Sequence, residues 1–224
     1  MNLWHDFLTN DGKIIDKWVH YFPIYERHFA WYRNKSLTFV EIGVFKGGSL
    51  AMWQRYFGPL ARIIGLDINP ECKAYEAPGI FVRIGDQSDE AFLSTIIDEF
   101  GVPDIVLDDG SHQMGHIATS FKFFYPRMPK NAVYMVEDLH TAYWQEYGGG
   151  ATNPSSFVNV AKGFIDRLNA DHSRGAISAD AITRQTFGIS FYDSVIAFEK
   201  GDVFRKQPVQ IGRGGATEGA KPRE

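Results

Sequence analysis

The chain repeats one unit: a short apolar run, a turn, then apolar residues at helical spacing. Residues 37–43 (LTFVEIG) lead through Gly47-Gly48 into a helical pattern over 49–57. Residues 61–67 (ARIIGLD) and 80–84 are the next runs, and the second leads through Gly85-Asp86 to helical spacing over 89–100. Residues 104–109 (DIVLDD), a helix over 117–124 and residues 132–138 (AVYMVED) complete the series. Apolar runs without polar alternation are strands covered on both faces. Their alternation with helices predicts a parallel α/β sheet with right-handed crossovers.

The flanks follow other patterns. Residues 1–36 mix aromatics and charges, with apolar positions at mixed three- and four-residue spacing, and predict a helical cap segment whose helix is broken near Pro23. After residue 140, Gly148-Gly149-Gly150 and Asn153-Pro154-Ser155-Ser156 read as a loop and 157–168 as a helix. Two apolar segments flanking Tyr192-Asp193 read as an antiparallel hairpin that closes the sheet. Residues 212–224 (GRGGATEGAKPRE) have no large apolar side chain and read as a flexible tail. The fold expected over 37–211 is a doubly wound, Rossmann-like, mostly parallel seven-stranded sheet with a C-terminal hairpin.

Composition narrows the function classes. A formal charge of -4 leaves no net positive field for phosphates, so nucleic acid is not expected as a partner. The single cysteine, Cys72, excludes an internal disulfide and a cysteine-built zinc site. No apolar run approaches bilayer-spanning length, and the N-terminus lacks a basic region followed by an apolar stretch; no membrane partner and a cytoplasmic location are expected.

In open parallel sheets ligands bind beyond the carboxyl ends of the strands. Here every one of those ends carries an acid: Glu41, Asp67, Asp86, Asp108-Asp109 and Glu137-Asp138. One such acid is unremarkable, since it can cap the next helix or sit in solvent. A run of them is a constellation. The first turn reads Glu41-Ile42-Gly43-Val44-Phe45-Lys46-Gly47-Gly48-Ser49, with G-x-x-x-G-G spacing instead of the dinucleotide fingerprint. Its glycines permit close approach of a ligand to the backbone, and Glu41 would repel a pyrophosphate. Asp67 ends the second strand, where an acid accepts hydrogen bonds from ribose hydroxyls. Asp86 and Gln87 fall beside the place of an adenine, although Asp86 could equally cap the helix that follows. Together these residues point to a nucleoside without phosphates. S-adenosylmethionine fits, because its sulfonium and ammonium charges suit Glu41 and Asp108.

Asp108-Asp109 and Glu137-Asp138 deliver four carboxylates to one sheet edge. Their mutual repulsion calls for a divalent cation; oxygen ligands suit Mg²⁺, and Ca²⁺ or Mn²⁺ less specifically. His112 follows Asp109 by three positions and could act as a base, or merely cap the next helix. An iron facial triad of Asp109, His112 and His140 is a further arrangement of the same residues. His116 and His140 read as structural or substrate-lining.

FVEIGVFKGGSLAMW, GLDINP, GDQSD, DIVLDDGSH and VEDLHTAYW together resemble the metal-dependent O-methyltransferases that modify sugars on macrolide antibiotics, and the related cephalosporin hydroxylase-like proteins. The resemblance covers roughly residues 37–145, with FYDSVIAFEK as a looser match near the end. It implies Mg²⁺ held by Asp109, Glu137 and Asp138, with His112 as the base. It implies a cofactor turn containing Glu41, Gly43, Lys46, Gly47 and Ser49, and Asp67 as the ribose acid.

The expected reaction is methyl transfer from S-adenosylmethionine to a hydroxyl of a small-molecule acceptor, most naturally a sugar on a natural product. Tyr143, Trp144 and Tyr147 beside the glycine loop would form an aromatic wall over the acceptor, with His140 also in contact. Tyr21, Tyr25 and Glu26 would close the pocket or build a contact between copies, and a homo-oligomer is expected. Three other readings share the sheet: a nicotinamide oxidoreductase, against which the glycine spacing speaks; an iron oxygenase; and a binding module that keeps the nucleoside without chemistry.

Overall fold

The computed structural model describes residues 2–202 and 206–212. The expected tail beyond residue 212 lies outside the described residues.

Seven strands form one sheet: β1 (Leu37–Ile42), β2 (Ala61–Asp67), β3 (Ile80–Ile84), β4 (Ile105–Asp108), β5 (Val133–Val136), β6 (Thr186–Tyr192) and β7 (Val195–Lys200). Their order is β3-β2-β1-β4-β5-β7-β6. Strands β1 to β5 pair in parallel, while β7 runs antiparallel to both β5 and β6. The Rossmann-like sheet with a C-terminal hairpin is therefore present, and the hairpin inserts its second strand against β5. Strands are added in one direction from β1 to β3 and in the other from β4 onward, which puts the carboxyl ends of β1 and β4 at the switch point where such sheets bind ligands.

Helices α1 (Leu3–Leu8), α2 (Phe22–Phe29), α3 (Gly48–Phe57), α4 (Glu90–Phe100), α5 (Met114–Phe124), α6 (Phe157–Leu168) and α7 (Ala181–Gln185) accompany the sheet. Pro23 does not break a helix. It sits in the first turn of α2, after a 3-10 turn over Val19–Tyr21, where its missing N–H is no loss. Asp89, not Asp86, caps α4, accepting from the Ala91 N–H.

The pleat sorts side chains onto two cores. Leu37, Phe39, Ile105, Leu107, Val133 and Met135 face one cluster, shared with Trp53, Tyr25 and Phe29. Val40, Ile42, Val106, Tyr134 and Val136 face the other, shared with Phe121, Phe157 and Phe198. The N-terminal segment thus covers the first face, and its Leu3, Tyr25 and Phe29 are fully buried there. A period of two also decides where the strand-end acids go. Glu41 and Glu137 follow Phe39 and Met135 toward the N-terminal segment, whereas Asp108 follows Val106 to the opposite side.

Candidate active site

The turn after β1 is shaped by close approaches. Gly43 has φ +98°, and a Cβ there would fall 2.0 Å from the Asp109 carbonyl oxygen. Only a glycine lets the end of β1 touch the end of β4 so closely. Gly47 has φ +73° and lies against the Tyr75 ring. Asp67 holds this turn in place: one carboxylate oxygen accepts from the Val44 and Phe45 N–H groups at 2.8 and 3.2 Å, the other from Asn69 N–H at 2.8 Å.

Two clefts meet at this turn, both lined by Gly43, Asp67 and Gly110. The larger, of about 490 Å³, runs past Lys46, Ser49, Asp109, His112, Glu137 and Asp138. The smaller, of about 170 Å³, reaches Asp86, Gln87 and His116. A single extended ligand with one end in each cleft matches this shape. Asp86 borders the smaller cleft with its carboxylate bonded to the Ser88 N–H and hydroxyl, and those bonds hold its pKa below the usual value.

Asp108 departs from expectation. Its carboxylate does not reach the clefts but lies buried on the far side of the sheet, accepting from Gln87 Nε2 (3.0 Å), Ser120 Oγ (2.7 Å) and Tyr134 Oη (2.8 Å). The pleat is the cause, since Asp108 points the opposite way from Asp109. Gln87 is correspondingly divided. It borders the smaller cleft, but its amide bridges Asp108 and the Ser111 N–H, joining the loops after β3 and β4.

Glu41 departs too. It was expected to face a cationic ligand, yet it is fully buried. Its oxygens accept from Ser49 Oγ at 2.7 Å and Trp53 Nε1 at 3.1 Å, and the cation it meets is Lys17, at 3.2 Å. Ser49 therefore spends its hydroxyl on Glu41. Lys46 borders the larger cleft, with its ammonium 5.5 Å from the Phe45 ring centre.

Lys17 is the residue that the sequence reading missed. Its ammonium donates to Asp109 Oδ2 at 2.6 Å and to Glu137 Oε1, and forms an ion pair with Glu41 Oε1 at 3.2 Å. Burial works to lower its pKa, but the carboxylates of Asp109 and Glu137 outweigh that and hold it well above the ordinary value. Tyr25 donates to the other Glu137 oxygen, so Glu137 has both oxygens engaged by protein donors. Burial, then the neighbouring Asp109, push the Glu137 carboxyl well above the usual range. Glu137 therefore does not stand open as a metal ligand, as the sequence implied. No local signal marks it: Lys17 sits beside Asp16 between Ile14-Ile15 and Trp18-Val19, and its partners are distant in the chain. Glu26 serves the interior instead of the pocket, accepting from Leu3 N–H and Tyr56 Oη.

Asp109, His112 and Asp138 do converge. One ligand atom from each lies within 4.8 Å of the others. His112 Nε2 is 4.0 Å from Asp109 Oδ1 and 3.8 Å from Asp138 Oδ2. Tyr21 donates to Asp138 Oδ1 at 2.6 Å and thereby leaves Oδ2 turned to this group. Both His112 and Asp138 have φ +57°. Side chains rarely adopt that backbone, which costs about 1 kcal/mol or more, and such strain concentrates at functional sites. His112 does not cap α5; Gln113 occupies that position and makes no side-chain cap bond. His140 is not a member of the group. Its ring lies between Trp18 and Trp144, 5.0 Å from each, with Nδ1 at 4.0 Å from Asp138. Tyr143 and Trp144 are exposed outside the clefts, and Tyr147 comes within 6.3 Å of the His112 ring.

The Asp109 and Asp138 carboxylate oxygens at this spacing fit a divalent metal, with the His112 imidazole beside them rather than needed as a ligand. The joined clefts, with bare glycine backbone at their meeting point, fit an elongated nucleoside.

No family model matches the chain. Curated proteins do. It is 37% identical over 197 residues to the 8-demethyl-8-alpha-L-rhamnosyl tetracenomycin-C 2'-O-methyltransferase of Streptomyces olivaceus, a match that takes in 83% of this chain and 52% of that protein. It is 37% identical over 199 residues to the mycinamicin VI 2''-O-methyltransferase of Micromonospora griseorubida, over 82% of this chain and 49% of that one. Over most of its length the chain is similar to these sugar O-methyltransferases. Among solved structures, MycE methyltransferase from the mycinamycin biosynthetic pathway, in complex with Mg, SAH and mycinamycin VI, superposes with a TM-score of 0.77 at 34% identity. That superposition covers 89% of this chain and 52% of MycE. The chain spans about half the length of the curated relatives it matches.

Proposed function

We propose that this chain transfers a methyl group from S-adenosylmethionine to a sugar hydroxyl of a glycosylated natural product, with Mg²⁺ as the metal. The observation that carries this reading is the 37% identity to sugar O-methyltransferases across 83% of the chain. The clefts beside Gly43 and the Asp109–His112–Asp138 group support it.

When bound, the metal supplies Lewis acidity that lowers the pKa of the acceptor hydroxyl, and the nucleoside supplies the methyl group. Asp109 and Asp138 would hold the metal. Tyr21 fixes the orientation of Asp138 by bonding its Oδ1. His112 Nε2 takes the proton from the acceptor hydroxyl, which a positioned imidazole does with a gain of about two to four orders of magnitude. Glycines 43 and 47 keep the cofactor turn open, and Asp67, Asp86 and Gln87 border the nucleoside. His140, Tyr143 and Trp144 offer flat faces on which a sugar ring can lie. The main contribution of these residues is to hold the acceptor oxygen in line with the methyl carbon.

The test is a transfer assay with isotope-labelled S-adenosylmethionine against a panel of rhamnosylated polyketides and glycosylated macrolides. Label in the sugar, dependent on Mg²⁺ and lost reversibly in chelator, is the expected result. Transfer at full rate in excess chelator would remove the metal. Absence of both cofactor binding and transfer across the panel would overturn the reading.

A further inference from the structure

The Lys17 ammonium donates to Asp109 and Glu137 and forms an ion pair with Glu41 at 3.2 Å, so three carboxylates surround it. It is almost wholly enclosed, its side chain 2% exposed. Two of those carboxylates are the ones that the strand-end pattern assigns to a metal. The lysine therefore stands where a divalent cation bridging Asp109 and Glu137 would stand. The rest of the group, His112 Nε2 with the free oxygens of Asp109 and Asp138, faces the cleft beside it.

The segment that carries Lys17 differs from the elements around it. Residues 10–18 form neither helix nor strand. They cross one side of the larger cleft, which Ile14, Ile15, Asp16, Lys17 and Trp18 help to line. Side-chain contacts pin the segment: Lys13 over the Tyr75 ring at 4.5 Å, and Trp18 against His140 at 5.0 Å. An irregular segment held through side chains can shift without breaking a ladder of backbone bonds.

We propose that Lys17 is a tethered competitor for the divalent cation: its ammonium occupies the Asp109 and Glu137 carboxylates, and the metal gains Glu137 by displacing it. This rests on the reading of Asp109 and Asp138 as metal ligands. Two like charges cannot share those oxygens at contact distance, so metal entry moves Lys17 and with it residues 10–18. Metal loading and the shape of the larger cleft are thereby linked, since a ligand that binds one arrangement better shifts the population toward it. The lysine also keeps the buried acids neutralised when no metal is bound, which would otherwise leave unpaired charge in the interior.

Titration calorimetry with Mg²⁺ alone, without cofactor or acceptor, tests this. Lys17→Met is expected to bind Mg²⁺ at least about tenfold tighter than the wild type, which is about 1.4 kcal/mol. In the double variant Lys17→Met/Glu137→Gln that gain is expected to disappear, because Glu137 is the ligand that the lysine withholds. Affinity unchanged or weakened in Lys17→Met, or a gain that survives Glu137→Gln, overturns the proposal. A measurement on the unmodified chain guards against a folding defect in the variants. Lys17 is expected to resist an amine-acetylating reagent in chelator and to become labelled in saturating Mg²⁺, read by mass spectrometry; protection in both states overturns the proposal. A wild-type chain that binds no divalent cation removes the metal reading and this proposal with it. Binding that is equal in wild type and Lys17→Met removes this proposal alone.

Discussion

Asp108 and Asp109 are neighbours in the chain whose carboxylates lie on opposite faces of the sheet. Asp108 meets Gln87, Ser120 and Tyr134 on one side, and Asp109 meets Lys17 on the other. Their substitutions should separate accordingly. Asp108→Asn disturbs a buried network with three donors and is expected to cost about 1–3 kcal/mol of stability, while turnover per folded molecule stays within a few-fold. Asp109→Asn removes a proposed metal ligand and a carboxylate that neutralises Lys17, so it should lose the Mg²⁺-dependent gain in stability and lower turnover by two orders of magnitude or more. Denaturant melts alongside a methyl-transfer assay check both, and equal behaviour of the two variants would refute the division.

His112→Ala removes the proposed base. Turnover is expected to fall by about two to four orders of magnitude, while affinity for the nucleoside, measured calorimetrically, changes by less than about threefold. A variant that retains wild-type turnover would take the proton-transfer role away from His112.

Gly43→Ala is a more drastic change than its size implies. The added methyl would lie 2.0 Å from the Asp109 carbonyl oxygen, on a backbone at φ +98°. The ends of β1 and β4 must part, so a loss of more than about 1 kcal/mol is expected together with loss of turnover. Thermal melting and activity measured on the same sample decide it.

The five parallel strands, the helices between them and the terminal hairpin could be read from the sequence because each signal is local. Apolar runs such as those before Asp67 and Glu137 need no knowledge of their partners. The glycine turn and the strand-end motifs carrying Asp109, His112 and Asp138 were legible for the same reason, although the sequence also set Glu137 among the metal ligands. The direction of each acid was harder. Adjacent carboxylates look equivalent in a sequence, and the pleat alone sends Asp108 away from Asp109. Lys17 was illegible for a different reason. It meets Glu137 across 120 positions, and nothing local marks a lysine in an irregular segment as the counterion of three distant acids.

Glu76 provides a pH test away from the site. Its carboxylate accepts from Lys73, the Val82 N–H and Arg83, and these bonds hold its pKa down at about 2. A depressed carboxyl stabilises the fold above its unfolded pKa, and that contribution is lost as pH falls toward the folded value. Glu76→Gln is therefore expected to melt at a lower temperature than the wild type at pH 7, with the gap narrowing from about pH 4.5 downward. A gap that stays constant to pH 2.5 would contradict the assignment. The group is partly exposed, so the difference should also shrink in high salt.

Phe198 on β7 is fully buried, with Phe121, Tyr125, Phe157 and Phe164 around it at ring separations of 4.6–6.2 Å. Phe198→Ala should cost about 3–5 kcal/mol, read from equilibrium unfolding in urea. A loss below 1 kcal/mol would mean that this core closes over the cavity.

The place of β7 bears on biosynthesis. Strand β5 pairs with β4 on one side and with Val195–Lys200 on the other. While the ribosome still holds that last stretch, the finished parallel half exposes a bare row of amides and carbonyls. A nascent polypeptide stalled shortly before Val195 would carry an adhesive margin, and chaperone engagement should peak in that interval and end once the hairpin docks.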